Sequence, residues 1–263
     1  MASRRLIRLA LAAVGAASEI LAMAAEAPPG MVAIPPGVYR PAFRADSDLK
    51  EIVVQPFAID RYPVTNAEFL EFVRAHPRWR RSQVKPIFAD SQYLKHWAGD
   101  LELGPGAATN APATWVSWFA AKAYAGWKGK RLPSTAEWEL VAGSGTTLPD
   151  GEKDPEFLKQ VAAWHSSPAP ERLSPVGAGK ANFYGVHDLH GLVWEWVSDF
   201  NASMVTGDAR GDNGLERRLF CGGGAQGAKD VSDYAAYLRF GFRSSLEARY
   251  VVHNLGFRCA KTL

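Results

Sequence analysis

Residues 182–200 read N-F-Y-G-V-H-D-L-H-G-L-V-W-E-W-V-S-D-F, and the fold turns on how this stretch is understood. Asp188, Gly191, Val193 and Glu195 follow one another closely. The glycine lets the backbone turn tightly, so two carboxylates and the carbonyls between them can converge on one hard cation. Calcium takes oxygen ligands of this kind. The same residues admit a second reading, with Val193, Trp194 and Trp196 in the core and Glu195 a buried acceptor supplied with donors. Spacing alone leaves both open. His187 and His190 flank Asp188, either as metal ligands or as surface histidines.

Composition bounds what surrounds the stretch. The chain has 263 residues, 47% hydrophobic and 22% charged, enough to bury the core of one sizeable domain and too apolar for disorder. Its net charge of +3 owes much to Arg4, Arg5 and Arg8, so no nucleic-acid partner is implied. Nine Trp and 24 Gly predict tight turns with large rings packed between them.

The N-terminus reads as a cleaved export signal over residues 1–24. It has a basic start, an apolar run over residues 6–17 and small residues at Ala22 and Ala24 around Met23. The run is too short to span a bilayer and is followed by Glu19, so the mature chain, residues 25–263, is expected not to span a membrane. Arg4 and Arg5 also fit a twin-arginine signal, beside the ordinary secretory route. The expected location is periplasmic or secreted.

Elements are few for the length. Strands are expected over residues 31–39 and 52–59, with Pro56 marking an edge or bulge. Thr65 and Glu68 form a capping box ahead of Phe69, Phe72 and Val73, which predicts a helix ending near His76 and Pro77. Residues 78–110 read as a long ordered surface loop. Ser117 opens a second helix reaching Trp127, and Ser134 with Glu137 caps a short third one. Residues 143–172 read as irregular. Beyond Trp196 only short strand candidates remain, over residues 218–224, 237–243 and 256–260.

In this order the motifs resemble the formylglycine-generating enzyme, or sulfatase-modifying factor, family over nearly the whole chain. They are M-V-A-I-P-P-G from Met31, F-A-I-D-R-Y-P-V-T-N from Phe57, W-V-S-W from Trp115 and G-K-R-L-P-S-T-A-E-W-E from Gly129. They continue with N-F-Y-G from Asn182, G-L-V-W-E-W from Gly191, three glycines from Gly222, R-F-G-F-R from Arg239 and N-L-G-F-R-C from Asn254. The resemblance implies an α+β, C-type-lectin-like fold, one domain with few regular elements and long loops. It also implies one structural calcium held by Asp188, the carbonyls of Gly191 and Val193, and Glu195, although Leu192 stands where the family usually has Asn. A second family calcium site, upstream in residues 164–172, lacks its carboxylates and is not expected.

The chain departs from the family where its chemistry lies. Relatives that make formylglycine bind copper through two cysteines just before the stretch matching Arg239. Soft thiolates suit Cu(I). Residues 224–237 contain no cysteine here, and Ala235 stands in the second position. No copper is expected. The spacing of iron-dependent sulfur-transfer relatives, H-x3-H-x-E, is also missing from the sequence. The two cysteines of the chain, Cys221 and Cys259, read as a disulfide in an exported protein, with two free buried thiols as the other reading. Arg239 and Arg243, taken as one face of one strand, are assigned to a cleft gripping a substrate or partner, with bracing of the Gly-rich turns as the alternative.

Two functions follow from the resemblance. One is an exported protein that modifies, or assists the maturation of, another periplasmic protein or peptide-derived molecule without cysteine-bound copper. The other is a non-catalytic module that binds a protein or peptide partner on the same fold.

Overall fold

Capping chemistry fixes the helices. The computed structural model describes residues 26–41, 50–201 and 231–263. In the first helix, α1 (Asn66–Ala75), the Thr65 hydroxyl accepts from the Glu68 N–H while the Glu68 carboxylate accepts from the Thr65 N–H, and the chain leaves at His76. Ser117 caps α2 (Trp118–Trp127), and Ser134 with Glu137 boxes α3 (Thr135–Ala142). All three begin where the side chains predict.

Strands are shorter than their apolar runs because prolines remove ladder donors. The first run splits at Pro35 and Pro36 into β1 (Met31–Ile34) and β2 (Gly37–Tyr39); the second splits at Pro56 into β3 (Ile52–Val54) and β4 (Phe57–Asp60). β1, β4 and the C-terminal β7 (Ala260–Thr262) make a three-stranded antiparallel sheet, and β2 with β3 an antiparallel pair. The third sheet pairs β5 (Trp194–Glu195) in parallel with β6 (Leu255–Gly256), so the stretch around Glu195 docks on the chain just before Arg258. A Cβ at Gly256 would meet the Ala113 carbonyl oxygen at 2.9 Å, which is why glycine stands there.

Two expectations are corrected. Residues 143–172 are not all irregular: α4 (Pro155–Ser166) runs through them, capped by Asp154, whose carboxylate accepts from the Phe157 N–H, with Pro155 at the first helical position. The strand expected over residues 237–243 is the end of a helix, α5 (Val231–Ser244). The candidate over residues 218–224 lies outside the described residues, as does the leader. No helix among the described residues is long and apolar enough to cross a membrane.

The core gathers on α1. Phe69 packs on Tyr124 of α2 and on Phe257, with ring centroids 5.9 and 6.0 Å apart. Residues 78–110 are ordered but do not lie wholly at the surface, because Trp79, Tyr93, Leu94 and Trp97 are core residues. The stretch beside Glu195 is pinned from α2's side: Trp196 Nε1 donates to the Val116 carbonyl (2.8 Å) and Trp118 Nε1 to that of Val197 (2.9 Å).

Candidate functional site

Glu195 enters the core at β5 and must find donors there or cost several kcal/mol. It finds them in Arg258, whose Nη2 donates to Oε1 at 2.7 Å and whose Nε donates to Oε2 at 2.7 Å, and in Trp138, whose Nε1 donates to Oε2 at 2.7 Å. Neither charged side chain reaches solvent. Arg258 also donates to the carbonyls of Asp60 and His187, at 3.2 and 2.8 Å. One guanidinium thus ties β4, the turn at His187 and β5 together.

The calcium set divides on this geometry. Asp188 suits a ligand's part: it sits at φ 60°, Gly191 follows at φ 96°, and among the described residues only its Oδ2 is engaged, accepting from the Gly177 N–H. Glu195 can reach a cation only by giving up a hydrogen bond from Arg258 or Trp138. A calcium ion here would therefore rest on Asp188 and the Gly191 and Val193 carbonyls, with Glu195 shared. No cluster of three or more His, Cys, Asp and Glu side chains suited to a metal occurs among the described residues. Neither flanking histidine is a free surface group. His187 Nδ1 lies 2.9 Å from the Gly179 carbonyl, and His190 Nε2 lies 2.8 Å from that of Ala142.

Arg239 and Arg243 both pair with Glu139 of α3. A helix, like a strand, puts residues four apart on one face, but that face of α5 meets Glu139 of α3. Arg239 donates through Nε and Nη2 to Glu139 at 3.0 and 2.9 Å, and Arg243 through Nη1 at 2.5 Å. Burial pushes the Glu139 carboxyl up, but the two guanidiniums outweigh it and hold it at about 2. Both arginines are buried beside the Trp138 ring.

The other face of α5 builds the cleft. Tyr237, Leu238, Gly241 and Phe242 line a cavity of about 450 Å³ together with Trp164 and His165 of α4, Trp194 of β5, and Asn254. Trp194 stacks on Phe242 at 4.6 Å and 28°, and Trp164 lies 4.9 Å from Trp194. Burial, and then Arg239, pull the His165 imidazole down to about 4, so this ring is uncharged at neutral pH. His165 Nε2 is buried without a hydrogen-bond partner among the described residues. The sequence reading missed this site because its rings come from three distant segments, one of them a helix read as a strand.

Ala235, in the copper cysteine's position, is 2% exposed on α5; residues 224–230 lie outside the described residues. Cys259 is a buried free thiol pushed well above the ordinary range by burial and by Asp60, which accepts from its backbone N–H at 2.9 Å. Its expected partner, Cys221, lies outside the described residues.

The Sulfatase-modifying factor enzyme 1-like domain matches residues 17–263. The chain belongs to the sulfatase-modifying factor family. Among curated relatives, the serine/threonine-protein kinase pkn1 of Chlamydia caviae is 31% identical over 230 residues, covering 83% of this chain and 35% of that protein. The chain thus spans about a third of the chlamydial kinase. The formylglycine-generating enzyme of Thermomonospora curvata is 32% identical over 218 residues, with 65% of this chain and 71% of that one covered. Among solved structures, PvdO from Pseudomonas aeruginosa aligns over 89% of this chain and 94% of its own at 22% identity, with a TM-score of 0.46. Family membership agrees with the α+β architecture and the short strands described above. In this sulfatase-modifying factor member, the cleft offers ring faces beside the His165 imidazole and the Tyr237 phenol, and no thiol or carboxylate lines it among the described residues.

Proposed function

We propose that this sulfatase-modifying factor member modifies, or assists the maturation of, another exported protein or peptide-derived molecule, held in the aromatic cleft between α4, β5 and α5. The observation that carries the reading is that cleft: about 450 Å³ lined by Trp164, His165, Trp194 and Phe242, on a domain of the sulfatase-modifying factor family. Ala235 in place of a copper cysteine argues against formylglycine synthesis by cysteine-bound copper. Export through the leader of residues 1–24, by the twin-arginine or the ordinary route, and one calcium at Asp188 are part of the same proposal.

The alternative is a non-catalytic module that binds a protein or peptide. It is favoured by the lining of the cleft, which among the described residues is mainly aromatic and apolar. Affinity capture from the periplasm separates the two. A maturation factor recovers a partner whose mass changes when this protein is deleted, and a binding module recovers one of unchanged mass. Recovery of no partner contradicts both.

A further inference from the structure

Between α1 and α2 the chain makes a turn of Lys85, Pro86, Ile87 and Phe88, closed by the Phe88 N–H on the Lys85 carbonyl at 2.8 Å. The Ala89 N–H returns to the same carbonyl at 3.3 Å, and Pro86 has no N–H to offer, which leaves few backbone donors at the tip. The tip is apolar and bare: Ile87 is 69% exposed and Phe88 40%. A lone exposed apolar side chain is ordinary, but these two sit on a strip of rings. Phe88 lies 6.0 Å from Trp79 and 5.5 Å from Phe119, centroid to centroid, and Phe119 lies 5.5 Å from Trp118. Cations stand at both ends of the strip, Arg78 Cζ 5.5 Å from the Trp79 centroid and Lys122 Nζ 4.6 Å from that of Trp118. Lys85 stands in the turn itself.

The surrounding charge is positive. Residues 72–89 hold Arg74, Arg78, Arg80, Arg81 and Lys85 and no carboxylate, and α2 holds Lys122 and none. Three carboxylates adjoin this stretch. Asp100 accepts from the Ser82 N–H and hydroxyl near Arg80 and Arg81, Asp90 accepts from the N–H groups of Gln92 and Val251, and Glu247 pairs with Arg249. Glu71, just before the stretch, lies beside Lys128. Counted in full as charged, the three do not balance the cations. Among the described residues Arg78, Lys85 and Lys122 have no ion-pair partner.

We propose that this face docks the domain on an anionic lipid bilayer, with Ile87 and Phe88 entering the headgroup region and Arg78, Lys85 and Lys122 meeting lipid phosphates. Apolar insertion and cation attraction are each weak, and together they hold a protein reversibly on a membrane. Ile87 projects from a closed turn and lines no groove, which suits a deformable lipid surface better than a folded partner. The docking goes beyond the function proposed above and uses no residue of the aromatic cleft.

Sedimentation of residues 25–263 with lipid vesicles tests it, one set of phosphatidylglycerol and phosphatidylcholine in equal parts, the other of phosphatidylcholine alone, at about 0.1 M salt. The proposal expects saturable binding to the anionic set, at least about tenfold weaker on the neutral one. Lys85→Ala should weaken it about fivefold and Ile87→Ser at least about threefold, with both variants folded by circular dichroism because both side chains are exposed. Val53→Ser, at an exposed apolar residue of β3 outside the strip, should bind as the parent does. Absence of vesicle binding overturns the proposal, and retention on immobilised polyglutamate in its place would assign the face to an acidic protein. Equal affinity for the two vesicle sets also overturns it, as does a folded Lys85→Ala or Ile87→Ser protein that binds as the parent does.

Discussion

Arg258 and Glu195 form a fork-to-fork ion pair with no access to solvent, Nη2 on Oε1 and Nε on Oε2, both at 2.7 Å. The two residues belong to the motifs G-F-R and W-E-W, far apart in sequence and adjacent through the β5–β6 pair. Removing one partner strands a buried charge. Arg258→Met or Glu195→Gln should each destabilise the domain by about 3 to 5 kcal/mol, read from urea midpoints, and Arg258→Met with Glu195→Leu together should recover part of that loss. Single variants within about 1 kcal/mol of the parent would show that the pair does not hold the turn.

Arg258 neutralises Glu195 whether or not a metal binds. The mature protein should stay folded in chelator. Terbium, an oxygen-seeking stand-in for calcium, should give luminescence sensitised by Trp194 and Trp196 that calcium displaces. Asp188→Gly keeps the φ of 60° accessible and removes the carboxylate, so it should abolish the signal. A parent protein with no sensitised emission would remove the site from the account.

Acid should weaken the domain in two stages. Burial, and then Arg239, lower the His190 pKa from its ordinary 6.5 to about 3. The unfolded chain therefore takes up the proton first, and stability falls as pH drops below about 6.5. At pH 5 that loss is about 2 kcal/mol from His190. Glu139, held at about 2 against an ordinary 4.5, contributes stability that is full above 4.5 and lost as pH falls toward 2. Urea midpoints at pH 7 and 5 should differ in the parent and differ less in His190→Leu. Equal parent midpoints at the two pH values would contradict the neutral, buried imidazole.

A C-x-P-x-R peptide should leave incubation with this protein, copper and oxygen at unchanged mass. Ala235 and the thiol-free residues 224–237 are the reason. Appearance of the aldehyde would force Cys221 or Cys259 into a role that the buried, protonated thiol of Cys259 does not support.

Local chemistry made part of this fold legible. The boxes at Thr65 and Ser134 and the cap at Ser117 each satisfy backbone donors within one turn, so three helices could be placed from neighbouring residues alone. The pair Asp154 and Pro155 carried the same kind of signal for α4, hidden by the Gly- and Pro-rich sequence around it. α5 was misread because Tyr237, Phe240, Gly241 and Phe242 favour strand or break helices, and tertiary contacts overrode that preference: Arg239 and Arg243 on Glu139, Phe242 on Trp194. The cleft was illegible for the same reason, since it is the other face of that helix.

Occupancy of the aromatic cleft is the central claim, and Gly241 gives the most direct access to it. A Cβ at Gly241 meets nothing within 4 Å, and replacing a helical glycine favours the helix, so Gly241→Leu should fill the cleft without unfolding the protein. The measurement is capture of the exported partner by parent and Gly241→Leu proteins side by side, at equal amounts and with matched circular dichroism. The account predicts that the folded variant loses the partner; a folded Gly241→Leu protein that captures as much as the parent contradicts it.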